Sequence, residues 1–319
     1  MLFVLFFLTF GTKDLILLGQ SVSTKQDDEV VHVRTDLITV PVRVFDNRRK
    51  RIESLSKNDF EILVDGKSVS IDYFAAGAEK LALMFALDQS GSVREIIAKQ
   101  RKAALDLFRH FGARGEVAVV RFDDHATLAA NFTRDSGTAE AAFEFSPSMD
   151  KHTAIFDSVA SALSFFKERR SDPVERLILI VISDGLDTFS RIGWREATEA
   201  AVRSNVSIYS VQIGLFSPVG GRLEIRKPSK GFKELAERSG GGFFVIGDRS
   251  TALIPGADVD LGPVFGEIEA DLRNQSILGF YPGSGLRDGA RHTIEVRLKN
   301  RSIKKLHITT GRTEFQLGR

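Results

Sequence analysis

The sequence predicts an α/β fold with a doubly wound, mostly parallel, Rossmann-like sheet, inserted into a smaller all-β sandwich formed by the N- and C-terminal segments. The middle of the chain alternates continuous apolar runs with helical stretches of about a dozen residues or more. Continuous apolar runs indicate strands that helices bury on both faces. Both ends instead carry short β runs with turn signals. We therefore expect a discontinuous sandwich at 24–78 and 276–319, with the α/β domain at 79–275.

The N-terminus begins with an apolar run, LFVLFFLTF, at residues 2–10. Its length is typical of a signal peptide, and small residues at Gly19, Ser21 and Ser23 offer cleavage positions. We expect residues 1–23 to be a signal peptide or an N-terminal anchor, and the protein to be secreted, periplasmic or part of the cell envelope. No Lys or Arg precedes the run, which is a departure from a typical signal peptide and fits a mis-set start or an uncleaved anchor. A buried N-terminal strand is the other alternative.

The first β segment contains VVHVRTDLITVPVRVFD at 30–46 and FEILVDGKSVSIDYF at 60–74. Asp65-Gly66 is a hairpin signal in the second run. The basic residues at 48–51 separate the two runs, which is typical of a solvated hairpin tip rather than of a nucleic-acid site.

The central α/β region predicts strands and helices in alternation. The predicted strands are 81–88, 116–122, 127–132, 176–183, 206–214 and 242–248. The predicted helices are 93–111, 154–168, 194–204, 231–239 and 264–275. The chain then returns to β character in SILGFYPG, HTIEVRLKN and KKLHITT, so the two ends of the chain are expected to pair.

Composition excludes several classes of protein. Lys plus Arg total 44 against 42 Asp plus Glu, so the net charge of +2 does not indicate a nucleic-acid partner. The chain has no cysteine, which excludes disulfides, thiolate nucleophiles and cysteine-based metal sites. A partner or ligand must therefore be inferred from a local site.

Oxygen-bearing side chains follow two of the predicted strands. Asp88-Gln89-Ser90-Gly91-Ser92 starts at the last residue of the strand at 81–88, and Asp184 directly follows the strand at 176–183, in Ser183-Asp184-Gly185. Ligands of open α/β sheets bind beyond the carboxyl ends of the strands. Carboxylate and hydroxyl oxygens suit a hard cation such as Mg²⁺, Mn²⁺ or Ca²⁺.

These residues resemble a known motif. Asp88, Ser90 and Ser92 match the Asp-x-Ser-x-Ser sequence of the metal-ion-dependent adhesion site in von Willebrand factor A-type and integrin inserted domains. The segment at 153–157, TAIFD, is similar to that family's Thr-Ala-Leu-Tyr-Asp segment, and Ser183-Asp184-Gly185 to its distal Asp motif. The flanking sequences NDFEILVDGK, NQSILGFYPG and RHTIEVRLK resemble von Willebrand factor A-related proteins of acidobacteria.

The resemblance implies a cation site and a mode of binding. The five implied ligands are Asp88, Ser90, Ser92, Thr153 and Asp184. Mg²⁺ is the first expectation for the cation, with Mn²⁺ or Ca²⁺ as alternatives. The cation would complete its shell with an Asp or Glu of a protein partner, so we expect an interaction or adhesion protein rather than an enzyme. Membrane contact is expected only through the possible N-terminal anchor.

Three neighbouring features have a structural interpretation. His152 stands where the family often has Gly, and we expect it on the surface. Asp123-Asp124-His125 is a second acidic cluster, which we interpret as a turn near the site. Asp157 is expected to be a structural hydrogen-bonding residue rather than a ligand.

Two other functions fit the same residues. Strand-end Asp residues with Mg²⁺ also serve metal-dependent hydrolysis of phosphate esters, although the sequence shows no nucleophile motif. A scaffold of the cell envelope with a purely structural metal site is the other alternative.

Overall fold

The computed structural model describes residues 37–46, 52, 55–77, 80–94, 97–148, 152–169, 175–247, 266, 268–270, 273, 275–299 and 306–318. The predicted signal peptide or anchor lies outside these residues, as does much of the helix predicted at 264–275. Within the described ranges, no helix is long and apolar enough to cross a membrane.

The described elements alternate in the middle of the chain and are all β at its ends. The strands are β1 (Ile38–Phe45), β2 (Phe60–Val64), β3 (Lys67–Val69), β4 (Tyr73–Ala76), β5 (Leu81–Asp88), β6 (Gly115–Phe122), β7 (Ala126–Thr133), β8 (Arg176–Ser183), β9 (Val206–Ile213), β10 (Phe216–Val219), β11 (Arg222–Ile225), β12 (Phe243–Ile246), β13 (Ser276–Phe280), β14 (Arg291–Leu298), β15 (His307–Thr310) and β16 (Glu314–Gln316). The α-helices are α1 (Ile97–Phe111), α2 (Ser136–Ala142), α3 (Ile155–Glu168), α4 (Trp194–Arg203) and α5 (Phe232–Ser239). Single 3₁₀ turns occur at Lys57–Asp59, Gly91–Val93, Gly112–Arg114 and Ser284–Leu286.

The central sheet has the strand order β12-β9-β8-β5-β6-β7. All its neighbouring pairs are parallel except β6 with β7. This confirms the predicted doubly wound, mostly parallel α/β fold. In the register, Leu87 lies opposite Ile182, so β5 and β8 end side by side.

Helices bury both faces of this sheet, as the continuous apolar runs predict. Side chains alternate between the faces of a strand. Phe85 packs in one buried cluster with Leu107 of α1. Met84, its neighbour in β5, packs in the other with Val159 of α3 and Leu235 of α5. Every residue of β5 is buried for this reason.

The terminal segments form two antiparallel sheets, with orders β15-β1-β13-β4 and β16-β14-β2-β3. Val40 of β1, Phe60 of β2, Leu278 of β13 and Ile294 of β14 belong to one buried cluster. Strand β14 alternates exposed and buried residues, the pattern of a sheet with one solvated face. The predicted pairing of N- and C-terminal β segments into a sandwich is confirmed.

The sandwich contacts the amino ends of the central strands. The Arg43 guanidinium of β1 donates to the Gly241 carbonyl oxygen, just before β12, at 3.3 Å. The Asn205 amide, just before β9, donates to Thr39 Oγ1 at 3.1 Å. The opposite, carboxyl edge of the sheet therefore remains available for the polar residues that end β5 and β8.

Candidate metal centre

Two aspartates lie at the carboxyl ends of neighbouring strands and share one hydroxyl group. The Ser183 hydroxyl donates to Asp88 Oδ2 at 2.6 Å and lies 3.5 Å from Asp184 Oδ1. The Ser183 and Asp88 side chains are inaccessible to solvent, and Asp184 is 1% exposed. The parallel register of β5 and β8 thus brings the two predicted carboxylates into one buried group.

Two predicted hydroxyl ligands extend the same network. The Ser90 backbone N–H donates to Asp88 Oδ1 at 2.9 Å, which folds the loop after β5 back onto its own carboxylate. The Thr153 hydroxyl donates to Ser90 Oγ at 2.8 Å. The structure therefore brings together Asp88, Ser90, Thr153 and Asp184. The backbone of Ser92 lies in the turn Gly91–Val93, but its side chain lies outside the described part of the chain.

The buried position makes the ionised state of this centre costly. Burial and, to a smaller extent, the negative charge of Asp184 together raise the pKa of the Asp88 carboxyl to about 7. This net rise includes the opposing effect of the hydrogen bonds from Ser183 and Ser90, which lower the pKa. Two buried carboxylates beside each other favour either a proton or a cation between them. The all-oxygen donor set fits a hard divalent cation, which Asp88, Ser90, Thr153 and Asp184 would hold.

A third aspartate, Asp123, holds the loops around the centre in place. It is 2% exposed and follows β6. Its carboxylate accepts from Gln89 Nε2 at 3.0 Å and from the Ser148 hydroxyl at 2.6 Å. Its carbonyl oxygen accepts from the Ala154 N–H at 2.7 Å. Asp123 therefore links the loop that carries Ser90 to the residue after Thr153, a role that the sequence did not reveal.

The loop after Asp184 is hydrogen-bonded to the start of α3. Ala154 precedes this helix and cannot cap it with its own side chain. Asp187 caps it from the other loop, because its Oδ1 accepts from the Ile155 N–H at 2.7 Å. The Thr188 N–H and the Phe189 N–H both donate to the Thr153 carbonyl oxygen, at 2.8 and 3.0 Å. These bonds fix the loops that carry Thr153 and Asp184 relative to each other.

We expect Asp187→Ala to lower the free energy of unfolding by about 1–2 kcal/mol, the usual cost of losing a helix cap. The buried Ile155 N–H would lose its acceptor, and the loop that carries Thr153 would loosen. Urea unfolding of the variant checks this, with Asp187→Asn as the matched control because Asn retains an oxygen acceptor. Equal losses in both variants would show that the cap is not the cause.

His152, Asp157 and the Asp123-Asp124-His125 cluster have the structural roles or surface positions expected from the sequence. His152 is exposed and stacks on Phe189, with 5.1 Å between ring centroids and 11° between planes. The Asp157 carboxylate accepts from the N–H groups of Arg191 and Ile192, which is a structural role. His125 Nδ1 lies 3.0 Å from Asp123 Oδ1 and 2.6 Å from Asp124 Oδ1, within a tight turn after β6. These three side chains are close enough to hold a cation together, but the observed contacts of Asp123 are those of a turn and a loop link.

Comparison with known proteins identifies the central region. Residues 83–186 match the model of the von Willebrand factor type A domain. No curated protein matches the chain.

Several solved structures are similar to the chain. The conserved hypothetical protein BatB from Bacteroides thetaiotaomicron is 19% identical, with a TM-score of 0.45 over 60% of this chain and 98% of that one. Proximal thread matrix protein 1 from the mussel byssus, with a zinc-occupied MIDAS motif, is 15% identical, with a TM-score of 0.47 over 66% and 50%. A von Willebrand factor type A protein from Catenulispora acidiphila is 12% identical, with a TM-score of 0.47 over 88% and 74%.

The matched residues run from within β5 to just beyond β8 and so include both carboxylates of the buried centre. Residues 83–186 therefore form part of a von Willebrand factor type A domain.

Proposed function

We propose that this protein binds a divalent cation through Asp88, Ser90, Ser92, Thr153 and Asp184, and through that cation binds an acidic side chain of a protein partner. The observation that carries the proposal is the buried network from Thr153 through Ser90 and Asp88 to Ser183 and Asp184. Mg²⁺ is the proposed cation, with Mn²⁺ or Ca²⁺ as alternatives.

The chemistry of the donor set supports binding to an outside carboxylate. Hydroxyl groups such as Ser90 and Thr153 bring no negative charge to a cation, so the cation keeps its affinity for a further anionic ligand. Asp or Glu supplies that ligand from a partner. Mg²⁺ also retains waters that an incoming carboxylate displaces.

We further propose that the protein is not an enzyme and that it acts in the cell envelope or the secreted fraction. The buried hydroxyls of Ser90 and Thr153 are hydrogen-bonded to each other, an arrangement that suits ligands rather than an activated nucleophile. The apolar run at residues 2–10 supports export.

Manganese relaxation tests the proposal directly. Mn²⁺ bound to the chain should enhance water proton relaxation, and a Gly-Ser peptide with one central Asp should reduce that enhancement by displacing a coordinated water. The same peptide with Asn in place of Asp is the matched control. The proposal is wrong if the two peptides act alike, or if Asp184→Asn leaves the Mn²⁺ signal unchanged.

Cation binding should also depend on pH. Burial raises the pKa of Asp88 to about 7 in the metal-free protein, and a cation binds only the ionised carboxylate. Affinity for Mg²⁺ should therefore fall by roughly tenfold per pH unit below about pH 7 and level off above it. Calorimetry in buffers of different ionisation enthalpy would detect the released proton. An affinity that stays flat through this range would show that Asp88 does not compete with a proton for the cation.

A further inference from the structure

A basic segment lies beside the proposed metal centre. We define the basic loop as residues 226–230, RKPSK, between the β10–β11 hairpin and α5. It carries three positive charges and no carboxylate, in a chain whose total charge is nearly balanced. Arg226, Lys227 and Lys230 are all exposed. None of the three forms a salt bridge with a residue in the described ranges.

One buried amide joins the backbone of this loop to the backbone of Asp184, the residue after β8. Gln212 is 1% exposed, and its Nε2 donates to the Asp184 carbonyl oxygen at 3.0 Å and to the Arg226 carbonyl oxygen at 2.9 Å. Asp184 and Arg226 are therefore joined by a single side chain. The Gln212 side chain therefore fixes the backbone of the basic loop next to one of the proposed cation ligands.

Further contacts fasten the rest of the loop to the residues after Asp184. The Ser229 N–H donates to the Gly185 carbonyl oxygen at 2.8 Å, and Ser229 Oγ accepts from the Asp187 N–H at 2.9 Å. Pro228 packs so closely on Gly185 that a Cβ at Gly185 would lie 2.9 Å from Pro228 Cβ. The basic loop is thus packed directly against the Ser183-Asp184-Gly185 segment.

Arg226 is also held in one orientation. Its guanidinium Nε donates to Ser217 Oγ of β10 at 2.7 Å, which leaves the other guanidinium nitrogens available for a ligand. An oriented guanidinium binds a carboxylate in a bidentate manner at a lower entropic cost than a freely moving one.

We propose that the basic loop is a second contact surface for the same partner, and that the partner presents an acidic segment rather than a single acidic residue. This inference rests on the proposed function. One Asp or Glu of the segment reaches the cation, and neighbouring carboxylates pair with Arg226, Lys227 and Lys230. Positive charges beside the centre add to the affinity and to the association rate of an acidic partner, and salt screens this attraction over a Debye length of about 8 Å.

Two labelled peptides test this inference on the full chain in the presence of Mg²⁺. One has a single Asp in a Gly-Ser context, and the other has the same Asp flanked on each side by Glu-Glu. Fluorescence anisotropy should show the Glu-flanked peptide binding at least about tenfold more tightly, with a preference that declines as salt increases. The triple variant Arg226→Gln, Lys227→Gln, Lys230→Gln should lose this preference.

The matched control variant removes three positive charges from a different surface of the protein. Lys57, Lys67 and Lys299 are exposed on the terminal β sandwich, and changing all three to Gln should preserve the preference. Equal affinity for both peptides, with binding still abolished by EDTA, overturns the inference and leaves the proposed function intact. Binding that EDTA does not affect overturns both.

Two other results would also reject the inference. One is that neither peptide binds. The other is that phosphatidylglycerol vesicles bind through the basic loop while the peptides do not, which would identify an anionic membrane surface as the occupant.

Discussion

Replacing Asp88 with Asn is expected to stabilise the metal-free protein and to abolish its stabilisation by Mg²⁺. Above about pH 7 the metal-free variant should unfold at a higher temperature than the wild type, because Asn removes a buried negative charge. Asp88 has its pKa raised from 3.8 to about 7, so the wild-type fold loses stability as the pH rises through this range. Ionisation of the buried Asp88 carboxyl lowers the free energy of unfolding of the wild type at high pH by at most about 4 kcal/mol. Mg²⁺ should stabilise the wild type and leave the variant unchanged.

Thermal unfolding with EDTA and with Mg²⁺, at a pH below and a pH above 7, measures both effects. Asp135→Asn is the matched control, because Asp135 caps α2 at the surface and Asn retains the capping oxygen. It should behave as the wild type does in all four conditions. A variant at Asp88 that is still stabilised by Mg²⁺ would show that this carboxylate is not a ligand.

Gly231→Ala is expected to lower the free energy of unfolding by about 3–5 kcal/mol. Gly231 precedes α5 with φ +101°, a conformation that costs energy for any residue with a Cβ. A Cβ there would lie 2.1 Å from Trp194 Cγ, an atom close to the α4 backbone that has little freedom to move. The first turns of α4 and α5 would have to separate, and the basic loop next to Gly231 would shift with them.

Gly220→Ala is the control, because it introduces backbone strain at a positive φ without a steric contact like that of Gly231→Ala with Trp194. Gly220 lies in the β10–β11 turn with φ +55°, and no described atom lies within 4 Å of the position of its Cβ. Its replacement should cost only about 1 kcal/mol. Urea unfolding of both variants gives the comparison. Similar losses at the two positions would show that the Trp194 contact contributes nothing.

The hydrophobic pattern was sufficient to predict the central sheet. The runs at 81–88 and 176–183 are strands with those same limits, because strands buried on both faces have no polar interruptions. The helix predicted from residue 93 is described from Ile97 onwards, and residues Gly91–Val93 form a 3₁₀ turn. Seven-residue α2 and the β10–β11 hairpin were not predicted, because both are too short to show a clear period.

The residues that carry the predicted ligand atoms could be identified from the sequence, whereas the contacts that position them could not. Asp88, Ser90, Thr153 and Asp184 were identified by motif resemblance, and the structure places them in one network. The contacts that position them join residues far apart in sequence. Asp187 caps a helix that begins 32 residues earlier, and Gln212 joins the loops of Asp184 and Arg226. A single sequence contains no local signal for such contacts.

Calorimetric titration of the metal-free chain with Mg²⁺ and Mn²⁺, in the presence of excess acetate, tests the central claim most directly. Acetate supplies the carboxylate that a partner would bring, so the site can complete its shell. We predict binding of one cation per chain, lost in Asp184→Asn and in the double variant Ser90→Ala, Ser92→Ala. An absence of binding by the wild type, or equal binding by these variants, would contradict the assignment of the buried network as a metal centre.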